Sequence, residues 1–288
     1  MTMRGKICLI TGGTNGIGKS TAHELARMGA TVVIVGRDAR KTSQVVEEIR
    51  VASGNDKVDS LMADLSSQQE VRHLANEFEG KYSHLDVLLN NAGAVYMQRQ
   101  LSVDGIEMTF ALNHLAPFLL TNLLLDKIQA RAPARIINVS SGAHTSGKIE
   151  FDNLQGERDY SSRAYGNSKL ATILFTMELA RRLEGTGVTA NALHPGFVST
   201  GFGKNNPGFL MKAIRAVVPL IGRSPEKGAE TSIYLASSPE VQSLTGKYFV
   251  DCKSTQPASQ ATDTAVARKL WDISAEMVHL ADGLPAKT

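Results

Sequence analysis

Seven short runs of β-branched and aliphatic residues recur along the chain, at 7–11, 31–35, 58–62, 87–90, 135–139, 188–193 and 247–250, with longer segments of helical period between them. Runs that are apolar throughout need cover on both faces, and intervening helices supply it when the strands are parallel and the crossovers right-handed. The expected fold is therefore α/β: a single Rossmann-type domain over 1–288, a doubly wound parallel sheet of about seven strands with helices on both faces. Ile17, Thr21, Leu25 and Met28 mark the first helix, which closes at Gly29. Similar patterns follow Asp38, Ser67, Val103, Arg163 and Pro225, and Val266, Leu270, Ile273 and Met277 predict a terminal helix within a C-terminal extension, 251–288. Two segments break the rhythm, 142–162 and 201–224, and read as loops inserted around a site.

Composition narrows the function. Thirty-one basic residues against 28 acidic ones, with no long Lys/Arg run, give no nucleic-acid surface. Cys8 and Cys252 lie far apart outside any CxxC pattern, so neither a disulfide framework nor a zinc site is expected. The seven histidines show no HxxxH pair, so no metal is expected, and His114 and His194 are read as structural. The most apolar stretches fall short of the ~18 residues that a membrane helix needs, and the first residues run straight into a strand without a signal peptide. A soluble, cytoplasmic protein with no integral membrane segment is expected.

Directly after the first strand comes TGGTNGIG, Thr11 to Gly18, opening a helix. Glycines there let backbone N–H groups approach a pyrophosphate at the helix N-terminus. The second strand ends in VVIVGRD. An NAD-preferring site carries a carboxylate at its end; here Gly36 takes that position and Arg37 follows, so NADP(H) is preferred and NAD(H), with Asp38 adjacent, is the alternative. Tyr165 and Lys169 in YGNSK are four apart and share one helix face. An ammonium beside the phenol favours phenolate at ~1.4 kcal/mol per pKa unit, which suits proton exchange near neutrality.

The glycine loop, NNAG (90–93), ALNHLAPF (111–118), IINVSS (136–141), YGNSK and HPGFVST (194–200) stand in the order found in the short-chain dehydrogenase/reductase superfamily, which the chain resembles over nearly its whole length. FALNHLAPFLLTNLLL, RIINVSSGAH and the segment from FDNLQGERDY to MELARRL are similar to its retinol-dehydrogenase-like branch. The resemblance implies an oxidoreductase that transfers hydride between nicotinamide and a carbonyl or alcohol. It assigns cofactor contacts to Gly12, Thr14, Asn15, Gly16, Ile17, Gly18, Asp64, Leu65, Asn91, Ala92, Gly93, Pro195, Gly196, Val198 and Thr200. Tyr165 and Lys169 become catalytic and cofactor-binding, Ser141 becomes the carbonyl-binding serine with Ser140 as the neighbouring register, and Asn113 supports the lysine through a water relay. A helix N-cap is the competing role for Asp64.

Segment 201–224 follows Thr200 and is apolar in its second half, with Phe209, Leu210, Met211, Ile214, Val217, Val218, Leu220 and Ile221. It reads as a substrate lid hinged at glycines 201, 203, 208 and 222 which, with Tyr96 and Met97, walls a pocket for a small lipophilic aldehyde, ketone or alcohol. Carbon–carbon double-bond reduction and a non-catalytic NADP(H)-binding scaffold are the alternatives, and assembly as a homodimer or homotetramer stays open.

Overall fold

A computed structural model describes residues 2–161, 163–198 and 222–280. One eight-stranded sheet, in the order β3-β2-β1-β4-β5-β6-β7-β8, organises them. Its strands are β1 (Ile7–Thr11), β2 (Thr31–Gly36), β3 (Val58–Met62), β4 (Val87–Asn90), β5 (Ala134–Val139), β6 (Val188–His194), β7 (Tyr248–Val250) and β8 (Lys253–Thr255). The first seven match the apolar runs within a residue or two and pair in parallel. The eighth is an addition to the expected seven: it returns antiparallel to β7 through Asp251 and Cys252, both at positive φ (49° and 61°). All three of its residues are exposed, so no apolar pattern announces it.

Helices cover both faces. On one lie α1 (Gly16–Arg27), α2 (Ala39–Ser53) and α8 (Pro225–Ser237), burying Leu25, Ile49 and Leu235 against β1, β2 and β5. On the other lie α3 (Gln68–Lys81), α7 (Arg163–Arg182), α9 (Thr264–Met277) and a composite helix of α4 (Met108–Phe110), a π-helical turn (Ala111–Leu115) and α5 (Ala116–Leu123), followed by the short α6 (Leu125–Gln129). Phe78, Phe118, Leu174 and Trp271 fill that side. Asp38 and Ser67 cap α2 and α3 by accepting from Lys41 N and Glu70 N, which explains where those helices start. The pattern expected after Val103 begins later, at Met108; Val103 is 83% exposed, and Glu107 instead caps the helix through Thr109 N and Phe110 N. No helix among the described residues is long and apolar enough to cross a membrane.

Candidate active site

The strand order reverses between β1 and β4, and in an open α/β sheet the crevice beyond the carboxyl ends at that point is where ligands sit. A cavity of about 640 Å³ opens there. One wall is the glycine loop with Asn91, Ala92 and Gly93; a second carries Ser141, Tyr165 and Lys169; Pro195, Gly196 and Val198 close the third. A larger groove, about 840 Å³, runs between α1, α2 and α8, but Glu24, Glu48 and Glu230 in it are already paired with Arg27, Lys19 and Lys227, and none of Ser141, Tyr165 and Lys169 lines it.

Close packing demands the glycines of the loop. Gly12 and Gly16 adopt positive φ, 65° and 50°. A Cβ on Gly18 would come within 2.4 Å of Gly12 O and 2.5 Å of Asn91 Nδ2. Asn91 Nδ2 donates to Thr11 O at 2.8 Å, and Thr11 Oγ1 accepts from Asn91 N and Ala92 N at 2.9 and 3.0 Å, so the two loops form one rigid floor. The first turn of α1 carries no acidic residue, and Asn15 makes no side-chain cap to it, leaving backbone N–H groups facing the cavity. These features fit the pyrophosphate of a dinucleotide.

At the end of β2, Arg37 is exposed and makes no ion pair among the described residues. Gly36 is crowded: a Cβ would lie 2.2 Å from Thr42 Oγ1 and 2.7 Å from Thr14 Cγ2. Any side chain at 36, a carboxylate included, is thus sterically opposed. Asp64 Oδ1 accepts from Ser66 N and Oγ (3.0 and 2.7 Å), an Asx turn rather than a helix cap, since Ser67 performs the capping. Leu65 packs against the apolar cluster beneath α5. Thr14, Gly18, Arg37, Asp64 and Leu65 do not line the 640 Å³ cavity, and Thr200 and positions 201–221 of the expected lid lie outside the described residues.

Tyr165 and Lys169 project from α7 into the cavity, with Lys169 Nζ 5.7 Å from the centre of the phenol ring. The ammonium donates to Val139 O at 2.9 Å, and burial brings its pKa down to about 8. Burial likewise pushes the Tyr165 phenol up to about 12, against a lowering by its hydrogen bond with Ser141. The cationic pull on the phenol expected from the four-residue spacing does not set this shift, which desolvation dominates and only Ser141 opposes. The two serines separate clearly. Ser140 Oγ is buried and donates to Lys169 O at 2.8 Å, whereas Ser141 reaches Tyr165.

Asn113 sits in the π-helical turn, 2% exposed. Its Oδ1 accepts from Ala94 N (2.8 Å), and its Nδ2 donates to Ala94 O (2.9 Å) and Ser168 Oγ (3.0 Å). The side chain thus ties the NNAG loop to α7, and only Gly93, where a Cβ would be 3.1 Å from Asn113 Oδ1 and 3.4 Å from Lys169 Nζ, separates it from the lysine. Thr11 and Ser168 are organising residues that sequence reasoning missed; Ser168, beside Lys169 in YGNSK, carried the stronger signal. His114 is fully enclosed, bonded through Nε2 to Ser274 Oγ at 2.8 Å, with burial holding its pKa down to about 3. No cluster of three or more His, Cys, Asp or Glu among the described residues is arranged for a metal.

Comparison with known proteins gives four findings. The family model described as short chain dehydrogenase matches residues 6–208. Retinol dehydrogenase 13 of Homo sapiens is 44% identical over 285 residues, which covers 97% of this chain and 86% of that protein. Among solved structures, an uncharacterized protein from Mycobacterium Paratuberculosis superimposes with TM-score 0.78 at 31% identity, over 99% of this chain and 96% of its own. A short chain dehydrogenase from Burkholderia cenocepacia J2315 in complex with NADP gives TM-score 0.69 at 28% identity, over 86% and 97%.

Proposed function

Since this chain belongs to the short-chain dehydrogenases, in their retinol-dehydrogenase-like branch, and is an oxidoreductase acting on the CH–OH/C=O couple, we propose that it interconverts a small lipophilic aldehyde or ketone and the corresponding alcohol with NADP(H). The observation that carries this reading is the convergence of Ser141, Tyr165 and Lys169 on a cavity that begins at the glycine loop. When bound, NADP(H) supplies or accepts the hydride. Ser141 donates to the substrate oxygen and polarises the carbonyl; Tyr165 gives that oxygen its proton in reduction and takes it back in oxidation. Lys169 binds the cofactor's ribose hydroxyls and stabilises the phenolate that proton transfer leaves behind. Asn91, Ala92, Gly93, Pro195, Gly196 and Val198, which line the cavity, would hold the cofactor.

Two features favour NADP(H) over NAD(H): an exposed Arg37 outside any ion pair among the described residues, and the crowding that opposes a carboxylate at Gly36. The similarity to retinol dehydrogenases supports the lipophilic class of substrate; Tyr96 and Met97, beyond the NNAG loop, do not line the 640 Å³ cavity. NADPH consumption across a homologous series of aliphatic aldehydes tests the reading. Each added methylene should raise kcat/KM through burial worth up to ~0.8 kcal/mol until the pocket is full. A flat or falling dependence, or preference for short polar carbonyls, removes the lipophilic pocket, and preference for NADH removes the cofactor assignment.

A further inference from the structure

The roles assigned above leave two histidines beside Ser141 without a task. His144 and His194 approach from different elements, the short 3-10 turn Gly142–Ser146 and the end of β6. The carbonyl of Ser141 accepts from His144 Nδ1 at 2.7 Å, and the N–H of Gly142 donates to His194 Nδ1 at 3.0 Å. That C=O and that N–H belong to one planar peptide unit. We propose that His144 and His194 together clamp the Ser141–Gly142 peptide and so fix the direction of the Ser141 hydroxyl toward the substrate oxygen, His144 acting purely as a positioning residue.

The hydrogen-bond pattern assigns each ring's proton. His194 Nδ1 accepts an N–H, so its proton resides on Nε2. His144 Nε2 accepts from Ala258 N at 3.1 Å, so its proton resides on Nδ1, where the Ser141 carbonyl receives it. The clamp therefore needs two neutral imidazoles in opposite tautomers. Burial lowers the pKa of His194, as do His144 and Arg223 nearby, against an opposing pull from Asp251, in line with a neutral ring. His144 is 3% exposed, packs edge-on against Tyr248 with ring centres 5.0 Å apart, and does not line the cavity. It reaches the chemistry only through Ser141. Rotation of the clamped peptide would carry Ala143 N away from Ser141 Oγ, which accepts from it at 3.2 Å, and would turn that hydroxyl off Tyr165. A Cβ at Gly142 would stand 3.3 Å from His194 Nε2, so glycine gives the ring its close seat.

This inference rests on the reading that Ser141 polarises the substrate, and its test has an arm that needs no turnover. Nitrogen-15 NMR of the imidazoles should show the Nδ1–H tautomer for His144 and the Nε2–H tautomer for His194 near neutral pH; one shared tautomer, or an imidazolium at either site, overturns the clamp. In the kinetic arm, His144→Ala should lower kcat about tenfold or more with the NADPH dissociation constant within about twofold, since small misplacements of a reacting group are costly. His144→Asn keeps a donor where Nδ1 stood and should recover most of the loss. Wild-type kcat in His144→Ala, or no rescue by asparagine, overturns the proposal. If the alanine variant does not fold, His144→Gln, whose amide sits at the Nε2 position, replaces it and should fail to rescue. An unmodified protein that turns over no carbonyl substrate sinks the hydride reading, while the tautomers still decide the clamp.

Discussion

In the proposed reaction Tyr165 brings a phenol that burial pushes up to about 12, so its protonated, donating form dominates at neutral pH. Removing only that hydroxyl, Tyr165→Phe, should cut kcat by about a thousandfold while NADPH still quenches or shifts protein fluorescence with near-native affinity. Loss of binding along with turnover would instead make the residue structural. Lys169 carries a different cost. Its pKa of about 8 in the folded protein lies below its ordinary 10.5, so unfolding takes up a proton between those values, and stability rises as pH climbs through that window. Below pH 8 the full penalty of the buried ammonium is present. Lys169→Met should therefore raise the Tm near pH 7 by on the order of 5 °C while abolishing turnover. That gain should shrink as pH rises toward 10.5; a lower Tm in a calorimetric scan at pH 7 would show that the Val139 carbonyl needs the ammonium more than the core resents it.

On the proposed NADP(H) reading, crowding at the turn between β2 and α2 keeps a single substitution from rewriting cofactor preference. Gly36→Asp places its Cβ 2.2 Å from Thr42 Oγ1, so the single substitution should cost about 1–3 kcal/mol in a denaturant melt through overpacking. Adding Thr42→Ala removes that oxygen and should recover part of the loss. With Arg37→Ala as well, the ratio of kcat/KM for NADH over NADPH should rise by about tenfold or more, because a carboxylate then repels the 2′-phosphate that a guanidinium no longer attracts. The inserted loop has its own fastening. Tyr160 OH donates to Tyr96 O at 2.8 Å, and Arg99 Nε donates to Gln155 O at 2.9 Å, stitching the segment before α7 to the one beyond the NNAG loop. Tyr160→Phe should loosen that wall, raising KM for long-chain substrates severalfold with kcat little changed; equal effects on short and long aldehydes would place the loop away from the substrate. The strands and the YxxxK spacing were legible because each is a local pattern. The hydroxyl junctions at Thr11 and Ser168 were not, since what decides them is a neighbour far away in sequence, and the start of α4 at Met108 was hidden because a charged cap, Glu107, and not an apolar period sets it.

At the scale of the molecule, α9 completes the core rather than decorating it. Trp271 is 3% exposed, stands edge-on to Phe118 with ring centres 4.9 Å apart, and lies under the Arg182 guanidinium at 4.3 Å. Trp271→Ala should cost about 3–5 kcal/mol in urea unfolding, the range for emptying a large aromatic site; a change below 1 kcal/mol would mean that α9 is dispensable. The same sheet that opens the cavity at its carboxyl rim also has to end somewhere. At β8 it ends on three exposed residues led by Lys253, running against the direction of all the others. A three-residue ribbon headed by a lysine offers an approaching chain almost nothing to hydrogen-bond along. The terminal reversal makes a poor template for cross-molecular β-pairing, so the protein should stay silent in amyloid-dye assays under conditions mild enough to leave β7 and β8 paired.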